Sequence, residues 1–453
     1  MSGSRRVSAF LFAVAVVLVV PIGAADTAIK FTDVKLKNGL RVIVSEDHSA
    51  PTFSIAVTYN VGSADEKVRR TGFAHLFEHM MFKGSENVGP GEHFTLVFNN
   101  GGNMNGTTNN DRTLYFETLP ANQLDLALFL ESDRMKSLDI TKANLDNQRN
   151  AVQEERRLGL DNQPYGNTYE RIDEQAYDNP AYKHSVIGSM DDLNAASVDD
   201  VATFFKTYYA PNNAVLSIVG DVDTKRTLAL IEKYFGPISR QPQPKRPDLA
   251  EPPHTAERRS TIEDSLARLP QVDIAWITPP AGTPDFDALD VVSWVLSSGR
   301  SARLNQVVVR EKQLAVFASA NNPDKRGPGL FQVSAQVAPG KSPADVEAAL
   351  LEEVEKVKTG PIHDWEIDKA HNNGVRQQAA AMTSTLQRAI QLGEYALFYD
   401  NPNLVNTRAA TYEKVTAADV QRVARKYLTA QNRSVVITLP KTAAAGAPTG
   451  GAE

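Results

Sequence analysis

The chain has 453 residues, a formal net charge of −6, 42% apolar residues and no cysteine. That length allows two globular domains, and the apolar fraction excludes a disordered chain. Without cysteine there is no disulfide framework and no thiolate chemistry, and mild acidity with no basic cluster argues against nucleic acid as a partner.

The chain opens Met1-Ser-Gly-Ser-Arg-Arg6, followed by an apolar run from Val7 to Val20 broken only by Ser8, then Pro21 and Gly23-Ala-Ala25. A basic start, an apolar run of about 14 residues and small residues before a cut describe a cleavable signal peptide over residues 1–25. The alternative is an uncleaved N-terminal anchor, for which the run is short, since a span takes about 20 residues. The mature chain is then expected from near Asp26, in a periplasm or outside the cell.

Residues 26–240 read as a first unit. Phe53-Ser-Ile-Ala-Val-Thr-Tyr59 is strand-like, and Thr71-Gly-Phe-Ala-His-Leu-Phe-Glu-His-Met-Met-Phe-Lys83 follows as a buried helix, with Gly84 as its stop. Only His75, Glu78 and His79 interrupt its apolar run before Lys83. At about 100° per residue these three share one arc of the helix. Two imidazoles and a carboxylate buried there need a partner, and a metal ion satisfies all of them. Histidines at i and i+4 can point neutral nitrogens at one ion, while Glu78 lies beside it, better placed for a bound water than for ligation. The pattern is H-x-x-E-H. The bland alternative is two core histidines and a glutamate that found hydrogen bonds.

Asn99-Asn-Gly-Gly-Asn-Met-Asn-Gly-Thr-Thr-Asn-Asn-Asp-Arg-Thr-Leu-Tyr-Phe116 is dense in Gly and Asn. It predicts a flexible, solvated hairpin loop, with a strand over Arg112–Phe116. From about Asp139 to Leu160, Leu145, Gln148, Val152 and Glu155 fall at 3-4-3 spacing and make one inward helical stripe. A catalytic zinc takes three protein ligands and leaves one position for water. This helix offers the third: Glu155 on the stripe or Glu154 on its flank, because helical phase read from sequence has a latitude of one residue.

A Pro-rich linker is expected over 241–262, then a second unit over 263–440, and an Ala-, Gly- and Pro-rich tail over 441–453 that reads as disordered. The second unit echoes the first 219 positions on. Ile55 matches Ile274 and Asp200-Val201 matches Asp419-Val420 at that spacing, and the run from Tyr209 through Asn213 into a strand is echoed by that from Tyr427 through Asn432. The expected fold is α+β, with two homologous α/β-sandwich-type domains produced by internal duplication. Trp294 stands where His75 recurs, so the second copy lacks a metal ligand there. His48, His93, His184, His254, His363 and His371 have no ligand-like spacing and read as surface or core residues.

His75-Leu-Phe-Glu-His79, with Glu155 lying 76 residues beyond His79 within Gln148-Arg-Asn-Ala-Val-Gln-Glu-Glu155, resembles the pitrilysin and mitochondrial processing peptidase family of zinc peptidases. The resemblance implies two domains facing each other like a clamshell, one Zn²⁺ per chain held by His75, His79 and Glu155, and Glu78 as the base that activates water. It selects Glu155 over Glu154. It also departs from many relatives, which carry a carboxylate where this chain has Gln148. Asn105-Gly106-Thr107 matches the family's strand beside the zinc, on which a peptide adds as a further strand. Arg310 matches a substrate-binding arginine, but the tyrosine found a few residues on in relatives is missing, with Val316 and Phe317 in its neighbourhood. The implied function is a secreted or periplasmic zinc endopeptidase acting on peptides or unfolded segments, as a homodimer or as a heterodimer with a related chain lacking zinc ligands. The alternatives are a non-catalytic or partner-dependent subunit with a scaffold or chaperone role, and a zinc hydrolase acting on something other than peptides.

Overall fold

The computed structural model describes residues 28–441, so the expected signal peptide over 1–25 and all but Lys441 of the expected tail lie outside the described residues. The first sheet takes β1 (Thr32–Lys35), β2 (Arg41–Glu46), β3 (Thr52–Tyr59), β4 (Asn103–Thr108), β5 (Thr113–Pro120) and β6 (Ala214–Gly220), in the spatial order β1-β2-β6-β3-β5-β4. The second takes β7 (Arg258–Asp264), β8 (Gln271–Thr278), β9 (Ala315–Asn321), β10 (Gly329–Val337) and β11 (Arg433–Pro440), in the order β7-β11-β8-β10-β9. Both sheets are faced by helices. Central strands read as continuous apolar runs because both their faces are covered, and every residue of β6 is buried.

With β1 set aside, the two sheets have one topology. β2 runs parallel to β6 as β7 does to β11, and the remaining neighbours are antiparallel. The duplication extends to side chains. Ser197 with Asp200, and Thr416 with Asp419, close the same capping box in front of corresponding helices. Asn213 Nδ2 donates to the Tyr208 carbonyl and Asn432 Nδ2 to the Tyr427 carbonyl, each at 2.8 Å.

The halves exchange helices. The helix Gly166–Ala176 of the first half lies on the second sheet, where Ile172 and Ala176 pack with Ala275, Leu330 and Val436. Its counterpart Thr385–Tyr399 lies on the first sheet, with Ala389, Leu392 and Ala396 against Ile43, Ala56, Val215 and Val219. Each sheet therefore has one face completed by the other half.

Two sequence expectations change. The connection between the halves has no regular secondary structure from 239 to 257, but β7 begins at Arg258, inside the range expected to be linker. Parallel pairing with β11 recruits those residues, and such pairing leaves no local signature. The connection is also pinned rather than free: Arg246 donates to Asn213 Oδ1 at 2.6 Å, and Glu251 accepts from the Asp178 and Asn179 N–H groups. Likewise composition predicts a loop for the Gly- and Asn-rich stretch, but Asn103–Thr108 is β4, the edge strand paired to β5, as the resemblance implied for Asn105, Gly106 and Thr107. An edge strand rests on backbone bonds from one neighbour, so poor strand formers are tolerated there.

Candidate metal centre

The H-x-x-E-H segment forms the helix Phe73–Met80. Its start is fixed by Gly72 at φ +85°, where a Cβ would stand 2.5 Å from the Ile187 carbonyl oxygen. The buried Glu66 carboxyl accepts from the Gly72 N–H at 2.9 Å and the Ala74 N–H at 2.7 Å, giving the helix's first N–H groups their acceptors. Phe77 locks the apolar face, its ring 4.2 Å from that of Tyr209. This leaves His75 and His79 on the opposite arc, ring centroids 4.8 Å apart.

Glu155 arrives from the helix Lys142–Arg156. Leu145, Gln148 and Val152 are buried along its inner stripe, and Arg149 anchors it through the Leu193 and Ala196 carbonyls. His75 Nε2 lies 3.6 Å from Glu155 Oε1 and His79 Nε2 lies 3.3 Å from Glu155 Oε2. The three donor groups all fall within 4.8 Å of one another. Glu154 is exposed and pairs with Arg157 at 3.1 Å, away from the imidazoles. Gln148 is buried and uncharged, and its Nε2 donates to Asn147 Oδ1 at 2.5 Å.

Burial first, then the neighbouring His79, push His75 down to about 4. The ring is therefore neutral near pH 7, the form that ligates a metal. The hydrogen bond from His79 foremost holds Glu155 below its ordinary range. Two imidazoles and an ionised carboxylate converging on one point suit Zn²⁺, and three protein ligands leave room for a fourth. Glu78 is buried, which raises its carboxyl, while the Thr108 hydroxyl donates to its Oε2 at 2.6 Å and opposes that rise. Gly106 makes room for it, since a Cβ there would stand 2.9 Å from Glu78 Cγ.

Sequence reasoning named Asn105, Gly106 and Thr107 on this strand. Gly106 faces Glu78, while Asn105 and Thr107 are exposed. The Asn105 side chain accepts from the Gly106 N–H at 2.9 Å, and Arg112 donates to the Thr107 carbonyl at 2.9 Å. Arg310 lies exposed on the short helix Asn305–Glu311, and among the described residues it makes no contact with His75, Glu78, His79 or Glu155.

Sequence reasoning missed Thr108, whose only local mark was its place beyond Thr107. It also missed a second, fully buried group: His93 Nε2 lies 2.5 Å from Glu117 Oε1, with Glu131 close by. Arg134 grips both oxygens of Glu131 and stacks over Tyr115 with its guanidinium carbon 4.4 Å from the ring. A guanidinium already occupies Glu131, so this cluster reads as a buried structural network rather than a metal site. Glu131 and Arg134 at i, i+3 inside a core helix were the available signal.

Residues 41–189 match the family model described as Insulinase (Peptidase family M16), and residues 195–373 match the Peptidase M16 inactive domain. "Zinc protease PqqE" of Helicobacter pylori is 30% identical over 431 residues, covering 94% of this chain and 97% of the relative. "Probable mitochondrial-processing peptidase subunit beta" of Arabidopsis thaliana is 24% identical, over 87% of this chain and 75% of the relative. Among solved structures, a protease from Helicobacter pylori superposes with a TM-score of 0.86 at 29% identity, covering 91% of this chain and 100% of that one. A Pseudomonas fluorescens structure titled peptidase M16 inactive domain shares the fold at 17% identity, with a TM-score of 0.82 over 92% of this chain and 99% of that one. With models of this family matching both halves and 30% identity to a named zinc protease along 94% of its length, the chain belongs to the M16 family of peptidases.

Proposed function

We propose that this chain is a zinc endopeptidase that cleaves extended peptides or unfolded segments, with one Zn²⁺ per chain. The observation that carries this reading is the convergence of His75, His79 and Glu155 with Glu78 pinned beside them by Thr108. Zinc bound at these three residues supplies a Lewis acid for the scissile carbonyl and lowers the pKa of its water toward neutrality. Glu78 takes the proton of the attacking water and passes it to the leaving amine. With Oε2 held by Thr108, Oε1 is the oxygen that accepts that proton. Strand β4 offers its free edge to an extended peptide, which it reads through the backbone and hence with little sequence preference. Asn105, Gly106 and Thr107 are the residues that meet the peptide in this reading. Export through the N-terminal segment belongs to the same proposal and rests on the sequence of residues 1–25.

The test is bound zinc, together with cleavage of a pool of short unstructured peptides, for wild type and Glu78→Gln. Zinc in both and cleavage by wild type alone is the expected result. Cleavage by Glu78→Gln, or a wild-type chain without zinc, sinks the reading.

A second reading, a partner-dependent subunit, has its own observation. Val316 and Phe317 on the edge strand β9 are each 45% exposed, where relatives of this family are expected to place a substrate-binding tyrosine. An apolar pair on an open sheet edge suits cover by a second, related chain, and the exposed Arg310 has no hydrogen-bond or ion-pair partner among the described residues. Zinc in both proteins with cleavage in neither would favour this reading, and addition of the related chain should then restore activity.

A further inference from the structure

The second half repeats the ground plan of the metal centre without its chemistry. The positions 219 beyond His75, Glu78, His79 and Glu155 are Trp294, Ser297, Ser298 and Gly374. The correspondence is spatial as well. A Cβ on Gly374 would stand 3.1 Å from Trp294 Cη2, so the indole meets that helix where His75 meets Glu155 in the first half. Leu114 pairs with Thr107 and Thr113 with Thr108, and 219 positions on Val333 pairs with Ala320 and Gln332 with Asn321.

A cavity of about 540 Å³ opens at this place, walled by Trp294, Tyr395 and Tyr412, with Gln378, Asp290 and Asp324 among its polar residues. Its charges do not balance. Asp290 is only 8% exposed, and its carboxylate accepts from Asn322 Nδ2 and the Tyr412 hydroxyl, each at 2.9 Å and each neutral. The one guanidinium in the cavity, Arg408, is committed to Asp287 at 2.8 Å. Asp324, exposed at the rim, makes no hydrogen bond or ion pair among the described residues. Asn322, also 8% exposed, lines the cavity and has no partner for its Oδ1. Lys325 does not fill the gap, because its ammonium lies over the rings of Tyr177 and Tyr182. Burial, then the charge of Asp324, push Asp290 up to about 8, and the charge of Arg408, shared among Asp287, Asp290 and Asp324, offsets only part of that rise.

We propose that this cavity binds an organic cation, a primary ammonium or guanidinium group on a short apolar stem. Asp290 and Asp324 face the charge, Asn322 Oδ1 accepts an N–H, and the Trp294 and Tyr395 rings flank the stem. Aromatic walls and this volume disfavour a bare metal ion, which needs a compact shell of oxygen ligands. The cationic head could be a free amine or an arginine or lysine side chain within a polypeptide. The site is independent of the metal centre, so its fate and that of the peptidase reading are separable.

The experiment is calorimetric titration of the full chain with three probes: agmatine, an end-blocked tetrapeptide carrying one arginine, and the same tetrapeptide with citrulline. Saturable binding of agmatine or the arginine peptide is expected, with none for the citrulline peptide. Agmatine alone would identify a free small cation as the occupant, and the arginine peptide alone a polypeptide side chain. Asp324→Asn, at the rim and safe for folding, should weaken binding by about tenfold, and Asp290→Asn by at least as much. Thermal unfolding checks that the buried variant is folded. Glu78→Gln should bind as wild type does. No binding of any cationic probe, equal binding of the citrulline peptide, or undiminished binding by Asp324→Asn would overturn the proposal.

Discussion

Glu155 stands within 3.6 Å of both the His75 and His79 imidazoles, while its neighbour Glu154 points to solvent against Arg157. Glu155→Ala should therefore lose bound zinc, measured by elemental analysis after dialysis, and Glu154→Ala should keep it. A metal-replete Glu155→Ala protein would return the third ligand to Glu154. Gly106→Ala tests the other half of the site. Its Cβ would press on Glu78 Cγ from 2.9 Å and turn the carboxylate away, so kcat should fall about 10²-fold with zinc content unchanged. His75, Glu78 and His79 were legible because one helical turn brings them together by local spacing alone. Thr108 was not, because it reaches Glu78 from 30 residues away through a strand pairing that no local pattern encodes. The same holds for His93 and Glu117, which meet only because a helix packs on the β5 side of the sheet.

At the scale of elements, the exchanged helices carry the coupling between halves. Leu392 is wholly buried in the cluster that seals the outer face of the first sheet, and Leu392→Ala should cost about 2–5 kcal/mol in chemical denaturation. An unchanged midpoint would mean that the helix contributes little to the fold. The same helix carries Arg388, which pairs with Asp47 after β2. Hydrogen bonds from Ser49 first, then from Arg388, hold Asp47 down to about 2, against an ordinary value of 3.8. A carboxyl lowered in the folded state stabilises fully above its ordinary value and loses that contribution as pH falls toward 2. Arg388→Gln should thus cost about 1 kcal/mol near neutrality, given partial exposure, and the difference from wild type should shrink as pH falls below about 4. A difference that stays constant down to pH 2 would show that Arg388 acts by packing alone. The exchange was invisible in sequence: the amphipathic pattern of Thr385–Tyr399 shows that one face is buried, not which sheet receives it. Strand β4 was legible only through the resemblance, since its Gly and Asn residues carry the local marks of a loop while its stability comes from β5.

Across the whole molecule, the duplication was legible as a repeat of 219 residues, because capping residues and central strands must recur wherever the same unit folds. What the repeat concealed is that the halves are not independent. The segment 28–257, taken alone, would expose Ile43, Ala56, Leu114, Val215 and Val219 once Ala389, Leu392, Ala396 and Val405 are gone, although it keeps every proposed zinc ligand. The segment 258–441 would in turn lose Ile172, Ala176 and Tyr177 from the face of β8, β10 and β11. Bare apolar sheet faces of this kind lead to aggregation rather than to a smaller stable fold. Expressed singly, each half should be insoluble or lack a cooperative unfolding transition. Expressed together as two chains, they should assemble, bind zinc and unfold in one transition, since the contacts that complete each sheet need no covalent connection. A soluble, cooperatively folding 28–257 fragment with bound zinc would show instead that the metal domain is self-sufficient.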